Sequence, residues 1–279
     1  MYLRVMSAFV GIPLVLLTIL SGYPWFTMVA LVVGVVGLFE FYGLSNAVGN
    51  KPFRLVGTIW VVIIILGPQV STLPIITMFL FALIVAFALS LCINVSAGRF
   101  VNSGAKPRKF NRFLTDFLHT TTGVIYLGIP LSLLTSLRYG AEGFEWVVLI
   151  IFGVFMTDTA SLFVGRLIGR NRMAPRISPY KTWEGAVGGL LLGTSFTIAL
   201  ALWFEVSENP LWIILFSVVL AISAQIGDLL ESMLKRSTGV KDTGSVIPGH
   251  GGLLDRLDSI VFATVVVYPL IGLERLFLS

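Results

Sequence analysis

Apolar runs close to the roughly 20 residues that a helix needs to cross a hydrocarbon core recur along the whole chain. Nine can be marked, at about residues 5–20, 25–42, 55–70, 73–95, 118–137, 146–167, 183–204, 211–230 and 253–276. Composition agrees with the pattern. Of 279 residues 56% are hydrophobic and 12% are charged, against about 25% charged in an ordinary soluble domain. Nineteen Lys and Arg with 14 Asp and Glu cannot coat a soluble protein of this size. The expected fold is therefore an all-α polytopic integral membrane protein of about nine transmembrane helices, forming one domain over residues 1–279. Cys92 is the single cysteine, which rules out an intrachain disulfide, a Cys-rich zinc site and a redox pair.

An odd number of spans puts the termini on opposite sides, and the basic residues sort accordingly. Seventeen of the 19 fall on one side, leaving Arg138 and Arg275 on the other with Glu142, Glu145, Glu205 and Glu208. The positive-inside rule then places the N-terminus in the cytoplasm and the C-terminus outside, as for a multi-pass protein of the cell (inner) membrane. No small-x-small cleavage site follows Leu20, so the first run is expected to be a span and not a leader. Three parts are expected within the domain: N-terminal helices over 1–98, a basic segment over 99–117, and C-terminal helices and loops over 118–279. In the basic segment Phe110, Phe113, Leu114, Phe117 and Leu118 recur at helical spacing beside Lys109 and Arg112. That pattern suits either a helix lying in an anionic interface or an ordinary positive-inside loop with Phe anchors.

Charged groups within spans cost about 2.5–3.5 kcal/mol each on insertion scales, so they tend to face cavities and to carry function. Asp158 lies in the sixth run, Asp228 and Glu231 end the eighth, and Asp255 and Asp258 begin the ninth. Glu40, near the cytoplasmic end of the second run, could simply snorkel. Gln225, Asp228 and Ser232 share one face of the eighth helix, and Asp255 and Asp258 share a face of the ninth. Carboxylates converging there without thiols suit a hard cation such as Mg²⁺, or they are helix-end acids paired with Lys and Arg of the same loop.

Residues 232–258 add Lys235, Arg236, Lys241, Asp242, Gly244, Pro248, Gly249, His250, Gly251, Gly252 and Arg256. Gly251 and Gly252 precede a helix whose first amides and dipole favour an anion, and the Lys and Arg side chains supply charge. An anion cradle beside metal carboxylates points to phosphoryl or nucleotidyl transfer. His250 is more simply a capping residue than a base, because an ionised phosphate nucleophile has no proton to lose. The loop 166–185, with Arg170, Arg172, Arg176, Lys181 and Thr182, can hold a nucleotide's phosphates or can merely satisfy the positive-inside rule.

The run Ser232-x-x-Lys235-Arg236-x4-Lys241-Asp242-x-Gly244-x-x-Ile247-Pro248-x-His250-Gly251-Gly252-Leu253-x-Asp255-Arg256-Leu257-Asp258 resembles the signature of the phosphatidate cytidylyltransferases, also called CDP-diacylglycerol synthases. Gln225-x-Gly227-Asp228-x-x-Glu231-Ser232 and residues 178–185 are similar to that family as well. Two places depart from it: Tyr180 stands where a second Lys is common, and Ala160-Ser161-Leu162 replaces a Gly-Ala-Tyr type sequence. The resemblance implies Mg²⁺-dependent conversion of CTP and phosphatidate to CDP-diacylglycerol and pyrophosphate, at a site facing the cytoplasm. It further implies a metal held by Asp228 and Asp255 with Asp258 and Glu231, charge neutralised by Lys235, Arg236, Lys241 and Arg256, and substrate contacts from Lys181, Thr182, Ser232, His250, Gly251 and Gly252.

An ion-coupled transporter is the alternative, since intramembrane acids near helix ends also suit cations. Against it, the acids sit beside a basic, Gly-rich loop at one interface, and no inverted repeat is evident. The Asp-Gly-x-x-Ala-Arg run of CDP-alcohol phosphotransferases does not occur. The expected partners are CTP, the anionic lipid phosphatidate and the bilayer, with no nucleic acid. A homodimer is the commonest closed assembly for such a chain.

Overall fold

In the computed structural model residues 2–70, 107–140, 142–240, 243–244 and 251–277 are described. Their helices are α1 (Tyr2–Ser21), α2 (Trp25–Ala47), α3 (Arg54–Val70), α4 (Pro107–Tyr139), α5 (Gly143–Ile168), α6 (Trp183–Trp203), α7 (Pro210–Ser237) and α8 (Leu254–Phe277). The apolar run 73–95, with Cys92, and the basic residues of 99–106 lie outside the described residues. Every other expected run coincides with a helix. Among the described residues six helices are long and apolar enough to cross a membrane, namely α2, residues 112–139 of α4, α5, α6, α7 and residues 254–274 of α8, while residues 54–69 form a shorter apolar helix.

Among the described residues the exception to an all-helical chain is a small antiparallel hairpin between α5 and α6. It pairs β1 (Arg172–Ala174) with β2 (Ser178–Thr182), setting Arg172 opposite Thr182 and Ala174 opposite Ser178. Gly169 follows the last turn of α5, and Pro175 and Pro179 oppose any helical continuation. Glu184, in the first turn of α6, accepts the backbone N–H of Arg170 (3.1 Å) and of Asn171 (3.2 Å), with the Asn171 side-chain amide at 2.8 Å. The base of the hairpin is thereby tied to the helix that follows it.

Caps fix where the C-terminal helices begin. The Thr182 hydroxyl accepts the Gly185 N–H at 3.1 Å to open α6. Asn209 accepts from Leu211 and Trp212 at 3.0 and 3.2 Å to open α7, with Pro210 in its first turn.

The residues at 107–117 continue straight into α4 instead of forming a separate interfacial helix. Phe113 and Phe117 are buried and stack at 6.4 Å, and Phe113 also meets Phe53 at 5.7 Å. Asp116 and Thr120 accept the backbone N–H groups of Lys51 and Phe53 at 2.7 and 2.8 Å. These contacts bind the α2–α3 connection to α4, which is why the two phenylalanines face protein while Leu114 and Leu118 stay exposed.

Helices α5 and α6 are joined along small residues. Gly185, Gly189, Gly193, Thr197 and Ala201 recur every four positions and are all buried. A Cβ on Gly189 would collide with the Ser161 hydroxyl and come within 2.9 Å of the Thr157 carbonyl, and one on Gly185 would meet the Ser161 carbonyl at 2.7 Å. In lipid, where hydrocarbon offers no solvophobic drive between helices, such stripes let backbones approach and gain dispersion energy. Near the N-terminal ends of α5 and α7, Trp146, Trp212 and Phe216 pack at 5.3–5.5 Å. Apart from Glu145 in the first turn of α5, the charged groups of α5 and α7 lie toward their opposite ends.

Candidate active site

Because neighbouring helices run in alternating directions, the C-terminal parts of α2, α5 and α7 meet the N-terminal turns of α6 and α8 at one end of the bundle. A cleft of about 610 Å³ opens there. Its walls are Asp158, Ser161, Leu162, Gly165 and Arg166 of α5, the hairpin with Arg172, Tyr180, Lys181 and Thr182, the start of α6, and Gln225 and Asp228 of α7. Lys181 Nζ reaches Asp228 Oδ2 at 2.7 Å across it. Gln225 donates to the Ala186 carbonyl at 3.1 Å, tying α7 to α6 at the cleft wall.

A more buried ionic group continues from Asp228 along α7 and α8. Lys235 Nζ lies 2.5 Å from Glu231 Oε2 and 2.9 Å from Asp255 Oδ1. Gly227 allows this juxtaposition, since a Cβ there would stand 2.8 Å from the Asp258 carbonyl and 2.9 Å from Phe262. Asp158, Asp228 and Asp258 lie within electrostatic reach of one another, and Glu231 lies within reach of Asp255 and Asp258. The arrangement therefore gathers five carboxylates around Lys181 and Lys235.

No three acidic, His or Cys side chains among the described residues converge tightly enough to enclose a metal by themselves. Yet Glu231 is 1% exposed, and its Oε1 has no hydrogen-bond partner. A buried carboxylate oxygen left without a donor, among several other carboxylates, fits a hard cation that keeps waters and takes substrate phosphates as further ligands.

Residues 2–273 match the model of the cytidylyltransferase family. The chain belongs to that family. It is 40% identical over 166 residues to a phosphatidate cytidylyltransferase of Staphylococcus saprophyticus, which covers 58% of the chain and 61% of that relative. It is 37% identical over 164 residues to the one of Staphylococcus haemolyticus, with the same coverage. It is 38% identical over 165 residues to the one of Mycobacterium leprae, covering 57% of the chain and 52% of that relative. The matched stretch thus spans somewhat more than half the length of these relatives.

Within this member of the cytidylyltransferase family the expected site residues divide. Lys181, Thr182 and Asp228 line the cleft, while Lys235, Glu231, Asp255 and Asp258 form the buried group beside it. Lys241 and His250 lie outside the described residues. Thr182 is 5% exposed and spends its hydroxyl on the α6 cap. Arg236 donates from Nε to the Ile177 carbonyl at 3.1 Å, so it braces the hairpin turn. Ser232 is half-buried on α7, and Arg256 is exposed on the first turn of α8.

Both oxygens of Asp255 are engaged. Oδ1 pairs with Lys235, and Oδ2 accepts the Gly252 N–H at 2.8 Å and the Thr243 N–H at 3.2 Å. The amides after Gly252 are occupied too, by Glu40 of α2, whose carboxylate accepts Leu253 N–H at 3.0 Å and Leu254 N–H at 2.7 Å. Gly251, at φ +83°, makes the left-handed turn that leads into this cap. The expected phosphate cradle at the start of α8 is thus filled by the protein's own carboxylates. Glu40 does not snorkel: it is 7% exposed and points inward. An acid in an apolar run with no Lys or Arg inside that run was the available signal for it.

Proposed function

We propose that the chain is a membrane-embedded nucleotidyltransferase that converts CTP and phosphatidate to CDP-diacylglycerol and pyrophosphate for phospholipid synthesis. The observation that carries this reading is the Lys181–Asp228 cleft: an open, basic-rimmed space meeting a cluster of carboxylates at one end of an apolar bundle, in a chain of the cytidylyltransferase family. Such a place admits a water-soluble nucleotide and a lipid headgroup together. Membership of that family favours the enzyme over ion-coupled transport.

In the reaction a phosphate oxygen of phosphatidate attacks the α-phosphorus of CTP, the bond from that phosphorus to the bridging oxygen breaks, and pyrophosphate leaves. The nucleophile is already an anion, so the demand on the protein is orientation and charge neutralisation more than proton removal. Arg166, Arg172 and Lys181 line the cleft and neutralise the triphosphate and the lipid phosphate. Asp228 holds the Lys181 ammonium in place, and Lys235 offsets the charge of Glu231 and Asp255 behind it. Mg²⁺ would take one or two carboxylates of the set Asp228, Asp158, Asp258 and Glu231 together with waters and the substrate phosphates, with Asp255 oriented by Lys235 at the edge of the group. When bound, that ion supplies Lewis-acid neutralisation across the substrate phosphates.

The bilayer is the cell (inner) membrane, the cleft faces the cytoplasm where nucleotides are, and the chain crosses the membrane about nine times with its C-terminus outside. The test is to incubate the purified protein with Mg²⁺ and each of the four ribonucleoside triphosphates, with and without phosphatidate, and to measure pyrophosphate. Release that needs both CTP and phosphatidate is expected. Release indifferent to the lipid, or equal for all four nucleotides, would contradict the proposal.

A further inference from the structure

Glu40 is the one acidic side chain of α2, and it lies far in sequence from the ionic group, yet its carboxylate closes the turn that delivers Asp255. It accepts the N–H groups of Leu253 and Leu254, and Thr243 Oγ1 stands 3.5 Å from Oε2. Two glycines of the turn make room for it. A Cβ on Gly244 would lie 2.6 Å from Glu40 Oε1, and one on Gly252 would lie 2.8 Å from Oε2 and collide with the Thr243 hydroxyl. Next to these contacts Asp255 takes the Gly252 and Thr243 amides and presents its other oxygen to Lys235.

We propose that Glu40 is a positioning residue: from α2 it locks residues 243–244 and 252–254 and so sets Asp255, and through it Lys235, for the reaction. The N-terminal helices thereby gain a role in catalysis without touching substrate. A carboxylate bound to a helix's first amides also complements the dipole, which makes the lock strong in a dry setting. The link to turnover rests on the cytidylyltransfer reading above; the lock itself does not.

The experiment uses the full chain in detergent with Glu40→Ala and the closer-sized Glu40→Gln. Amide hydrogen exchange is followed in peptides covering 252–257, with peptides covering 146–154 as the internal reference. In Glu40→Ala the 252–257 amides exchange faster and the reference is unchanged. With CTP and phosphatidate, kcat falls by about 10- to 100-fold while KM for both substrates stays within about twofold, as for a displaced group that does not itself bind substrate. Acetate added to Glu40→Ala restores both protection and rate, and Glu40→Gln, which keeps one acceptor, lies between parent and Ala.

Unchanged exchange at 252–257 in both variants overturns the proposal, as does faster exchange with parental kcat. A KM rise at constant kcat overturns it too, since that is the mark of direct substrate binding. If the parent releases no pyrophosphate from CTP, the reaction assignment fails, and the exchange and acetate arms decide the role of Glu40 by themselves.

Discussion

Lys181 and Asp228 face each other with side chains 22% and 35% exposed, so the pair is wet and contributes little to stability. Its value lies in the charge it keeps at the cleft. Lys181→Ala is expected to lower kcat/KM for CTP by about one to two decades, equivalent to losing roughly 1.5–3 kcal/mol of charge-assisted bonding, with the melting temperature unchanged. Initial-rate measurements over a range of CTP concentrations check it; a parental CTP response would detach the lysine from the nucleotide. Asp255 differs from Asp228 although the two look alike in sequence. It anchors Lys235 and two turn amides in a setting where its side chain is 6% exposed. Asp255→Asn is therefore expected to lose about 1–3 kcal/mol of stability, and Asp228→Asn almost none. Thermal melts of the two purified variants compare them directly. Spacing in the sequence put both acids on helix faces that can meet; in the structure Asp228 pairs with Lys181 of the hairpin and Asp255 with Lys235 of α7. Which of them was already saturated by backbone amides was illegible, because that depends on a turn whose partners are in α2 and at residue 243.

Among elements, the apolar runs were legible because lipid demands a helix of fixed length wherever it is crossed. The hairpin was not, since three and five residues outside any apolar run fall below such a window. Nor is the seam between α5 and α6 visible in hydrophobicity alone, although its small residues at 185, 189, 193, 197 and 201 stand in plain order. In a search for hydrophobicity, glycine and alanine count only as tolerated apolar positions, whereas in lipid they are where helices touch. Gly189→Ala tests the seam. The added methyl meets Ser161 and the Thr157 backbone, so overpacking should cost about 1–3 kcal/mol. Gly43→Ala, on an exposed face of α2 with nothing within 4 Å of the new Cβ, should melt like the parent. Equal losses in the two variants, measured as melting temperature in one detergent, would contradict close packing as the basis of the seam.

At the scale of the whole molecule, the ionic groups of the described residues are concentrated toward one end of the bundle. The cleft, the hairpin and the ionic group share one end. At the other, Arg138 donates to the Ile19 carbonyl at 2.8 Å and sits 5.9 Å from the Phe144 ring, between the ends of α1, α4 and α5. The sorting of basic residues predicts which side of the membrane each end faces. In a Cys92→Ala background, Glu142→Cys should be labelled by an impermeant thiol reagent on intact cells, and Arg172→Cys only after the membrane is opened. Both residues are exposed, so accessibility is not limited by packing. The reverse pattern would invert the bundle.

The most direct measurement of the central claim follows the α-phosphorus itself. Purified protein is given Mg²⁺, phosphatidate and CTP labelled at the α-phosphorus, and the label is counted in the lipid extract for the parent and for Asp228→Asn. The account predicts that label enters the lipid with the parent, that a γ-label stays in aqueous pyrophosphate, and that Asp228→Asn melts normally but transfers almost nothing. Lipid labelling equal in parent and variant, or no lipid labelling by a folded parent, would contradict it.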